Sequence, residues 1–573
     1  MRTGMTLLAA LLVMGVTVAQ AADHVDNFKL LDHRGQAHEL YYHSDARAIV
    51  LMVHGNGCPI VRLAVPRFRE IRDAYQDRGV RFALLNANPH DTRDEVIEEA
   101  QTFGIDMPIL LDETQLVAEM LDITRTAEVI VINPRDWRIV YRGAIDDRIG
   151  YETQRPAAQQ HYLTDALDAL LNDQPILTPH TQVKGCLVNL PEKNNREAHK
   201  AISYSETIAP MLIEKCVTCH RPGGIGPFAM NRYERVRGFA PMIREVLLTR
   251  RMPPWHADPH MSLAFANDRS LTNQQIRTLV HWIEAGAPRG EGPDPLAQYQ
   301  HQETEWELGA PDAIIDIPAF DVPATGVVPY QFQNVPNPFD RDVWVRAYEV
   351  LPGSRKALHH VIITVLMPDS EARGGWRTVG ALGGYVPGAQ ADTYPADTGV
   401  LLPKGAVLRF EMHYTTFGRA ETDRSRLGLY FHNEPPRHTL HTLVLHNERI
   451  VIPPHARAHT ESVSRRIPRD IIIYSMLPHA HYRGKASQFK VILPDGREEM
   501  LLSVPDYNFN WQTTYRLATP KHIPAGSTIV HTTAWDNSAQ NPANPDPTQT
   551  VRWGEQSWDE MLFGAITFRD ADD

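Results

Sequence analysis

Two breaks in residue patterning constrain this chain most. They cut its 573 residues into three stretches with different hydrophobic periods, too long together for one core. Residues 24–187 alternate strand and helix signals. Ala48 to Val53 reads as a buried strand, Val61 to Arg78 as an amphipathic helix, Val80 to Asn86 as a strand and Thr92 to Phe103 as a helix. Glu128 to Ile132 pairs with Arg138 to Tyr141, and a last helix runs from near His161 to Leu171. Residues 188–200 are polar and read as a linker. Residues 201–292 are mainly helical, with capping chemistry at Ser270 to Gln275 and a stop at Gly286-Ala287-Pro288. Beyond the Gly290 to Pro295 linker, residues 306–573 alternate short apolar runs with Pro, Gly and Asn turns, the pattern of β-sandwiches. The expected fold class is multidomain: α/β, then all-α, then two tandem all-β sandwiches over 306–440 and 441–573.

Composition narrows the partners. Hydrophobic content of 43% and charged content of 22% describe an ordinary globular protein, and the net charge of -12 argues against nucleic acid or an anionic membrane. Residues 1–21 read as a secretory signal: Arg2, an apolar core from Leu7 to Val18, then Ala19-Gln20-Ala21. That run is short for a membrane span and no later stretch looks transmembrane, so a periplasmic or secreted chain without stable membrane insertion is expected.

Four cysteines are present. Cys216-Val217-Thr218-Cys219-His220 is a c-type haem signature, in which two thiols bind the porphyrin and the histidine ligates iron. A zinc half-site would want further cysteines nearby, and a bare redox Cys-X-X-Cys is the other alternative. Cys58 and Cys186 are left, and an oxidising compartment allows a disulfide between them. Arg251 to Trp255 resembles the methionine–proline segment of class I cytochromes c, and Leu271 to Ala287 their terminal helix. That resemblance implies His220 as proximal ligand and Met252 as the sixth ligand, with Met230, His256 and His260 as rivals.

Residues 24–187 resemble the redoxin branch of the thioredoxin superfamily through His54-Gly55-Asn56-Gly57-Cys58-Pro59, Asn86-Ala87-Asn88-Pro89 and Thr124-Arg125-Thr126-Ala127-Glu128. The resemblance implies Cys58 at a helix N-terminus, where the dipole lowers a thiol pKa. Three departures stand out: Val61 occupies the resolving position, Thr126-Ala127 replaces the usual cis-proline segment, and Gly55 replaces the threonine of peroxidatic enzymes. A structural or docking role is thereby at least as well supported as thiol catalysis.

His479 and His481, at i and i+2 on a strand, share a face, and a thioether from Met561 would complete a His/His/Met set suited to copper in both oxidation states. Upstream lie His359-His360 and His413-Tyr414. Adjacent His359 and His360 point oppositely on a regular strand, so sharing one ion requires a departure from ideal backbone. These motifs, with Asp559-Glu560-Met561, resemble the copper type II, ascorbate-dependent monooxygenases, the peptidylglycine and dopamine hydroxylases. The resemblance implies two domains facing each other across an open cleft, each with one copper. His359, His360 and His413 would hold the electron-supplying ion, and His479, His481 and Met561 the oxygen-binding one. It implies hydroxylation of a C–H bond with O2, on a small-molecule or peptide substrate, with an external electron donor. Leu477 and Ala565 stand where peptide-hydroxylating members hold the substrate carboxylate, which disfavours a peptidylglycine substrate. Phe563, Tyr507, Phe509 and Trp511 are candidate pocket aromatics or ordinary core. The expected function is an exported copper monooxygenase fed through the fused haem. The alternative is a non-catalytic copper-binding, electron-relay or sensing protein.

Overall fold

The structure, a computed structural model, describes residues 24–572 apart from 152, 153, 194, 301–303, 373, 387, 389 and 390. The expected signal segment, 1–21, lies outside the described residues.

The N-terminal unit is a seven-stranded mixed sheet in the order β2-β1-β5-β4-β3-β6-β7. The strands are β1 (Lys29–Asp32), β2 (Ala37–Glu39), β3 (Ala48–His54), β4 (Val80–Asn86), β5 (Ile109–Leu111), β6 (Val129–Asn133) and β7 (Arg138–Gly143). All seven residues of β3 are buried, because a central strand flanked by parallel β4 and antiparallel β6 is covered on both faces. Four longer helices and turns serve this sheet: α1 (Pro59–Tyr75), α2 (Arg93–Thr102), α3 (Leu116–Met120) and α4 (Tyr162–Leu171). Thr92 and Glu95 close a capping box on α2, which fixes where it begins.

Residues 188–200 are not a loose tether. Leu190 is buried in the second core of the α/β unit, and α5 (Arg196–Lys200) forms with His199 buried. The helical segment follows with α6 (Ala209–Lys215), α7 (Tyr233–Gly238), α8 (Ala240–Leu248) and α9 (Asn273–Glu284), around a core holding Tyr204, Val217, Met230 and Trp282. It is not closed on itself, however. Residues 255–266 leave the helices and join the last β region: Phe265 bridges Leu517, Asp258 N–H donates to Ser503 at 2.8 Å, and Trp255 packs edge-on against Tyr515. Those pairings span over two hundred residues, beyond the reach of local patterning.

The rest of the chain is all β. One pair of sheets holds the strands Gln331–Pro336, Val407–Tyr414, Leu358–Pro368 and Trp376–Tyr385 against a sheet built on Val343–Leu351, and a shared core fills the space between. A second pair sets His441–His446, Phe563–Asp570, Ile471–His479 and Tyr515–Ile523 against His459–Arg466, Thr528–Trp535, Gly484–Ile492 and Glu498–Val504. Buried contacts lock the α/β unit to later segments. Arg93 reaches Asp258 at 2.7 Å with both side chains nearly inaccessible, and Lys29 reaches Asp506 at 2.8 Å. Among the described residues no helix is long and apolar enough to cross a membrane.

Candidate functional site

The first histidine cluster depends on an irregularity. Where Leu358–Pro368 pairs with Val407–Tyr414, register is lost between Leu358 and His360, so Leu358 opposes Tyr414 and His360 opposes His413. This bulge re-aims one residue, and the two consecutive histidines reach a common point. Their Nδ1 atoms stand 3.2 Å apart, and the ligating atoms of His359, His360 and His413 all lie within 4.8 Å of one another. Tyr330 Oη lies 3.2 Å from His360 Nε2, and Ser557 Oγ lies 3.4 Å from His413 Nε2. His413 Nδ1 is buried without a hydrogen-bond partner. The Nδ1 atoms of His359 and His360 are thus close enough that a proton or a cation must separate their lone pairs, and His413 adds a buried nitrogen without a partner.

The second cluster sits on the far sandwich. His479 ends the strand Ile471–His479 and opposes Phe563 on the neighbouring strand. Gln512 Oε1 lies 2.8 Å from His479 Nδ1 and the carbonyl of Asp559 3.3 Å from His481 Nδ1. Each acceptor fixes a proton on Nδ1 and leaves Nε2 with the lone pair, as outer partners of metal-binding histidines do. Glu560 ties this strand end to the chain bearing Met561. Its carboxylate accepts the backbone N–H of His481 at 2.8 Å and of Arg483 at 2.6 Å, and the Trp535 indole N–H at 3.0 Å.

Electrostatics suit metal ligation. Burial holds His359 and His479 down at about 4 and His413 at about 3, and drives His360 and His481 far below the ordinary imidazole value. All five rings are therefore neutral, the state in which a histidine binds a metal. Three imidazoles in the first cluster fit copper; in the second, His479 and His481 stand with ring centroids 5.1 Å apart, and the backbone N–H of Met561 meets the same Glu560 carboxylate that holds His481.

The open cleft implied by the resemblance is not what the chain adopts. The His360 and His479 rings are 6.5 Å apart, and the Gln512 side chain, hydrogen-bonded to His479, comes within 3.4 Å of His360 Nδ1. Phe509 fills the middle, stacked on His359 at 5.5 Å and edge-on to His413 and His481. The two sandwiches are closed on each other because neutral imidazoles and an aromatic ring pack as a core does. Of the candidate pocket aromatics, Phe509 touches both clusters, Phe563 touches His479, and Tyr507 braces the backbone of Ala480. Leu477 and Ala565 are direct cross-strand partners, so that position offers no charge. Tyr330, Gln512 and Ser557 were invisible to sequence patterning. They come from loops far along the chain and carry no motif.

In the helical segment, the N–H groups of Cys219 and His220 both bond the carbonyl of Cys216, which makes one tight turn of the signature. His220 Nδ1 lies 3.0 Å from the Phe228 carbonyl, leaving Nε2 free to face a ligand. A Cβ on Gly226 would come within 2.8 Å of the His220 ring, so only glycine lets the loop approach. Burial pushes the Cys216 thiol up to about 12 and raises that of Cys219. Among the rival sixth ligands, His260 is engaged by Glu113 at 2.8 Å, and His256 is buried in the segment that joins the β region. Met230 lies in the helical core and Met252 is half-buried after α8. The position of a Cβ on Gly388 falls 3.0 Å from Cys219 Sγ, and Arg269 binds the Gly388 carbonyl at 3.0 Å. Gly388 follows the strand Trp376–Tyr385, whose Tyr385 pairs with Val361, the residue after His360.

In the N-terminal unit, Cys58 is the N-cap of α1. Its Sγ lies 3.1 Å from Thr126 Oγ1 and 3.0 Å from Cys186 Sγ, the two thiols unbonded. Burial opposes ionisation of Cys58, but hydrogen bonds from Cys186, Thr126 and backbone N–H groups outweigh it and lower its pKa; Cys186 is raised by the same contact. Thr126 thus stands against the thiol where the superfamily places proline, and Ala127 beside it takes φ +60°.

A known family model matches this unit. The AhpC/TSA family matches residues 21–147, and the N-terminal unit is a thioredoxin-like domain of that kind. Among solved structures, a hypothetical protein from Sinorhizobium meliloti 1021 is 25% identical over 29% of this chain and 91% of its own, with TM-score 0.27. An uncharacterized conserved protein from Geobacillus kaustophilus is 28% identical over 29% of this chain and 90% of its own, also with TM-score 0.27. The peroxidoxin BcpB from Mycobacterium tuberculosis is 17% identical over 26% and 93%, with TM-score 0.20. No curated protein matches the chain.

Proposed function

We propose that the chain is an exported copper-dependent monooxygenase that hydroxylates a substrate C–H bond with O2 and draws electrons through a c-type haem on its helical segment. The observation that carries this reading is the convergence of His359, His360 and His413 opposite His479 and His481, all neutral and buried, with Gln512 between them. One copper would be held by His359, His360 and His413, and a second by His479, His481 and Met561. When bound, copper in these two settings supplies one-electron storage and dioxygen activation.

The chain's own part is positioning. Glu560 fixes the backbone of His481 relative to Met561, and Gln512 and the Asp559 carbonyl hold the ring protons on Nδ1 so that both Nε2 atoms keep their lone pairs. Phe509 and Tyr330 exclude water from the space between the clusters. Cys216 and Cys219 would carry the haem and His220 ligate it, with Met252 as the sixth ligand; such a haem supplies single electrons. Contact of Cys219 with Gly388, at the end of the strand paired beside His360, supports a short route between the two centres. Leu477 opposite Ala565 supports a substrate without a terminal carboxylate. The thioredoxin-like domain adds a redox-competent thiol pair, Cys58 and Cys186. Export rests on the signal pattern and the haem signature.

A second reading, a copper-binding electron relay or sensor without hydroxylation, is favoured by one observation: His360, His413, His479 and His481 are all at most 7% exposed. Rapid mixing of pre-reduced, haem-loaded protein with O2 separates the outcomes. Faster haem reoxidation with copper than without supports electron delivery to copper, and equal rates refute it. Oxygen consumed in step with a hydroxylated product distinguishes the monooxygenase from the relay.

A further inference from the structure

Cys58 is sealed in by a later part of its own chain. Residues 186–188 lie antiparallel to residues 124–126. The Thr126 N–H donates to the Cys186 carbonyl at 2.9 Å, the Val188 N–H donates to the Thr124 carbonyl at 3.0 Å, and Arg125 forms a bridge with Leu187. Gly185 allows this approach, since a Cβ there would fall 1.8 Å from the Thr126 carbonyl oxygen. Arg125 Nη1 donates to the Gly185 carbonyl at 2.8 Å and pins the segment from the other side. The backbone edge beside Cys58 is therefore already paired, and an external peptide cannot add itself there as a strand.

The two sulfurs differ in access and in chemistry. They stand 3.0 Å apart, so a shift of about 1 Å joins them. Cys58 is only 5% exposed, whereas Cys186 is at the surface beside Leu187, itself 74% exposed. Thr126 Oγ1 accepts the Cys186 N–H at 2.9 Å, which leaves its own hydrogen to go to a Cys58 thiolate at 3.1 Å. The pKa of Cys58 is lowered and that of Cys186 raised, so Cys58 is the better leaving group. Access and leaving-group quality thus select the same sulfur for attack: in a Cys58–Cys186 disulfide, it is Cys186.

We propose that Cys58 and Cys186 form a thiol–disulfide exchange site whose substrate is an external dithiol, with Cys186 as the sulfur attacked and Cys58 as the leaving thiolate. The site needs neither copper nor haem. One thiolate of the dithiol bonds to Cys186 Sγ as the Cys58–Cys186 bond breaks, and the electron pair leaves on Cys58. The second thiolate of the dithiol then attacks its own partner sulfur, closes the external disulfide and releases Cys186. The two protons given up by the dithiol go to the two cysteines, so two electrons and two protons enter the chain. The reverse sequence, in which the Cys186 thiolate attacks an external disulfide and Cys58 closes back on Cys186, reoxidises the pair.

The test uses the full-length, haem-loaded chain with a copper chelator present, so that metal does not oxidise the thiols. The pair is oxidised with diamide, exposed briefly to reduced glutathione and quenched in acid; free thiols are alkylated and each cysteine is read by peptide mass spectrometry. Separate peptides keep Cys216 and Cys219 out of the result. The proposal predicts glutathione on Cys186 and the alkyl group on Cys58, in at least about tenfold excess over the reverse. Dithiothreitol, as the dithiol probe, should return both cysteines as thiols with no mixed disulfide accumulating. In the reduced single variants, oxidised glutathione should label Cys58 of Cys186→Ser at least about tenfold more slowly than Cys186 of Cys58→Ser. Glutathione on Cys58, an even split between the two cysteines, a wild-type pair that does not oxidise, or equal labelling of the two variants overturns the proposal.

Discussion

Glu560 accepts the backbone N–H of His481 at 2.8 Å, and the same carboxylate takes N–H groups of Arg483, Trp535 and Met561. It is fully buried, and that burial pushes its carboxyl up to about 7 against the pull of those donors. One side chain thus ties the backbone of His481 to that of Met561, two of the residues proposed to hold copper. Glu560→Ala leaves several buried donors unpaired and should cost about 3 kcal/mol of stability. Chemical denaturation should show that loss together with weakened copper binding at the His479/His481/Met561 centre. A stable variant with two full coppers would count against the clamp.

Gln512 holds His479 in one tautomer and reaches toward His360 across the closed interface. Gln512→Ala removes the Nδ1 acceptor, and copper affinity at the His479 centre should fall by roughly 10–100-fold. Competition with a chelator measures this. The variant should retain its fold, because the loss is confined to two side-chain contacts, with His479 and His360.

The contact between Glu113 and His260 makes domain packing depend on pH. Desolvation would raise the Glu113 carboxyl, but hydrogen bonds from His260 and Asn273 overcome it and hold it at about 2, below its ordinary 4.5. The hydrogen bond to Glu113 raises His260 above 6.5. The depressed acid contributes stability that is present above 4.5 and lost as pH falls toward about 2. The raised histidine contributes stability that is present below 6.5 and lost as pH rises through its folded value. The pair is therefore strongest between those limits. His260 and Glu113 are 46% and 31% exposed, so solvent screening limits the effect to about 1 kcal/mol. Glu113→Gln should lower Tm between about pH 5 and 6 and have a smaller effect at about pH 9.

Cys58 and Cys186 should react unequally. The lowered pKa of Cys58 and its 5% exposure set a nucleophilic but shielded thiol against an exposed partner with a raised pKa. Mild oxidation should yield an intramolecular disulfide, read by mass spectrometry as loss of two hydrogens, and Cys58→Ser should abolish it. Disulfide-linked dimers from the wild type would contradict the geometry.

Much of this arrangement was legible from the residues, and the losses have physical causes. The buried run of β3, the helix beginning at Thr92 and the capping chemistry at Thr272 are local signals, and the structure has them where patterning put them. That adjacent His359 and His360 could share one ion only with a departure from regular strand backbone was readable too, and the strand contains a bulge at that point. Closure of the two sandwiches was not, because it depends on Gln512, Tyr330 and Phe509 packing across long separations. Nor was the addition of residues 255–266 to the last β region, where Phe265 meets Leu517. Histidine number is a poor guide by itself: His531 is wholly buried, stacks on Phe489 at 4.3 Å and serves the core.

Metal analysis with electron paramagnetic resonance on haem-loaded, copper-reconstituted protein tests the central claim most directly, comparing wild type with His413→Ala and Met561→Ala. The account predicts two type II Cu(II) signals and one haem iron per chain, with His413→Ala altering one copper signal and Met561→Ala the other. One copper or none, or two signals that neither substitution changes, would contradict it.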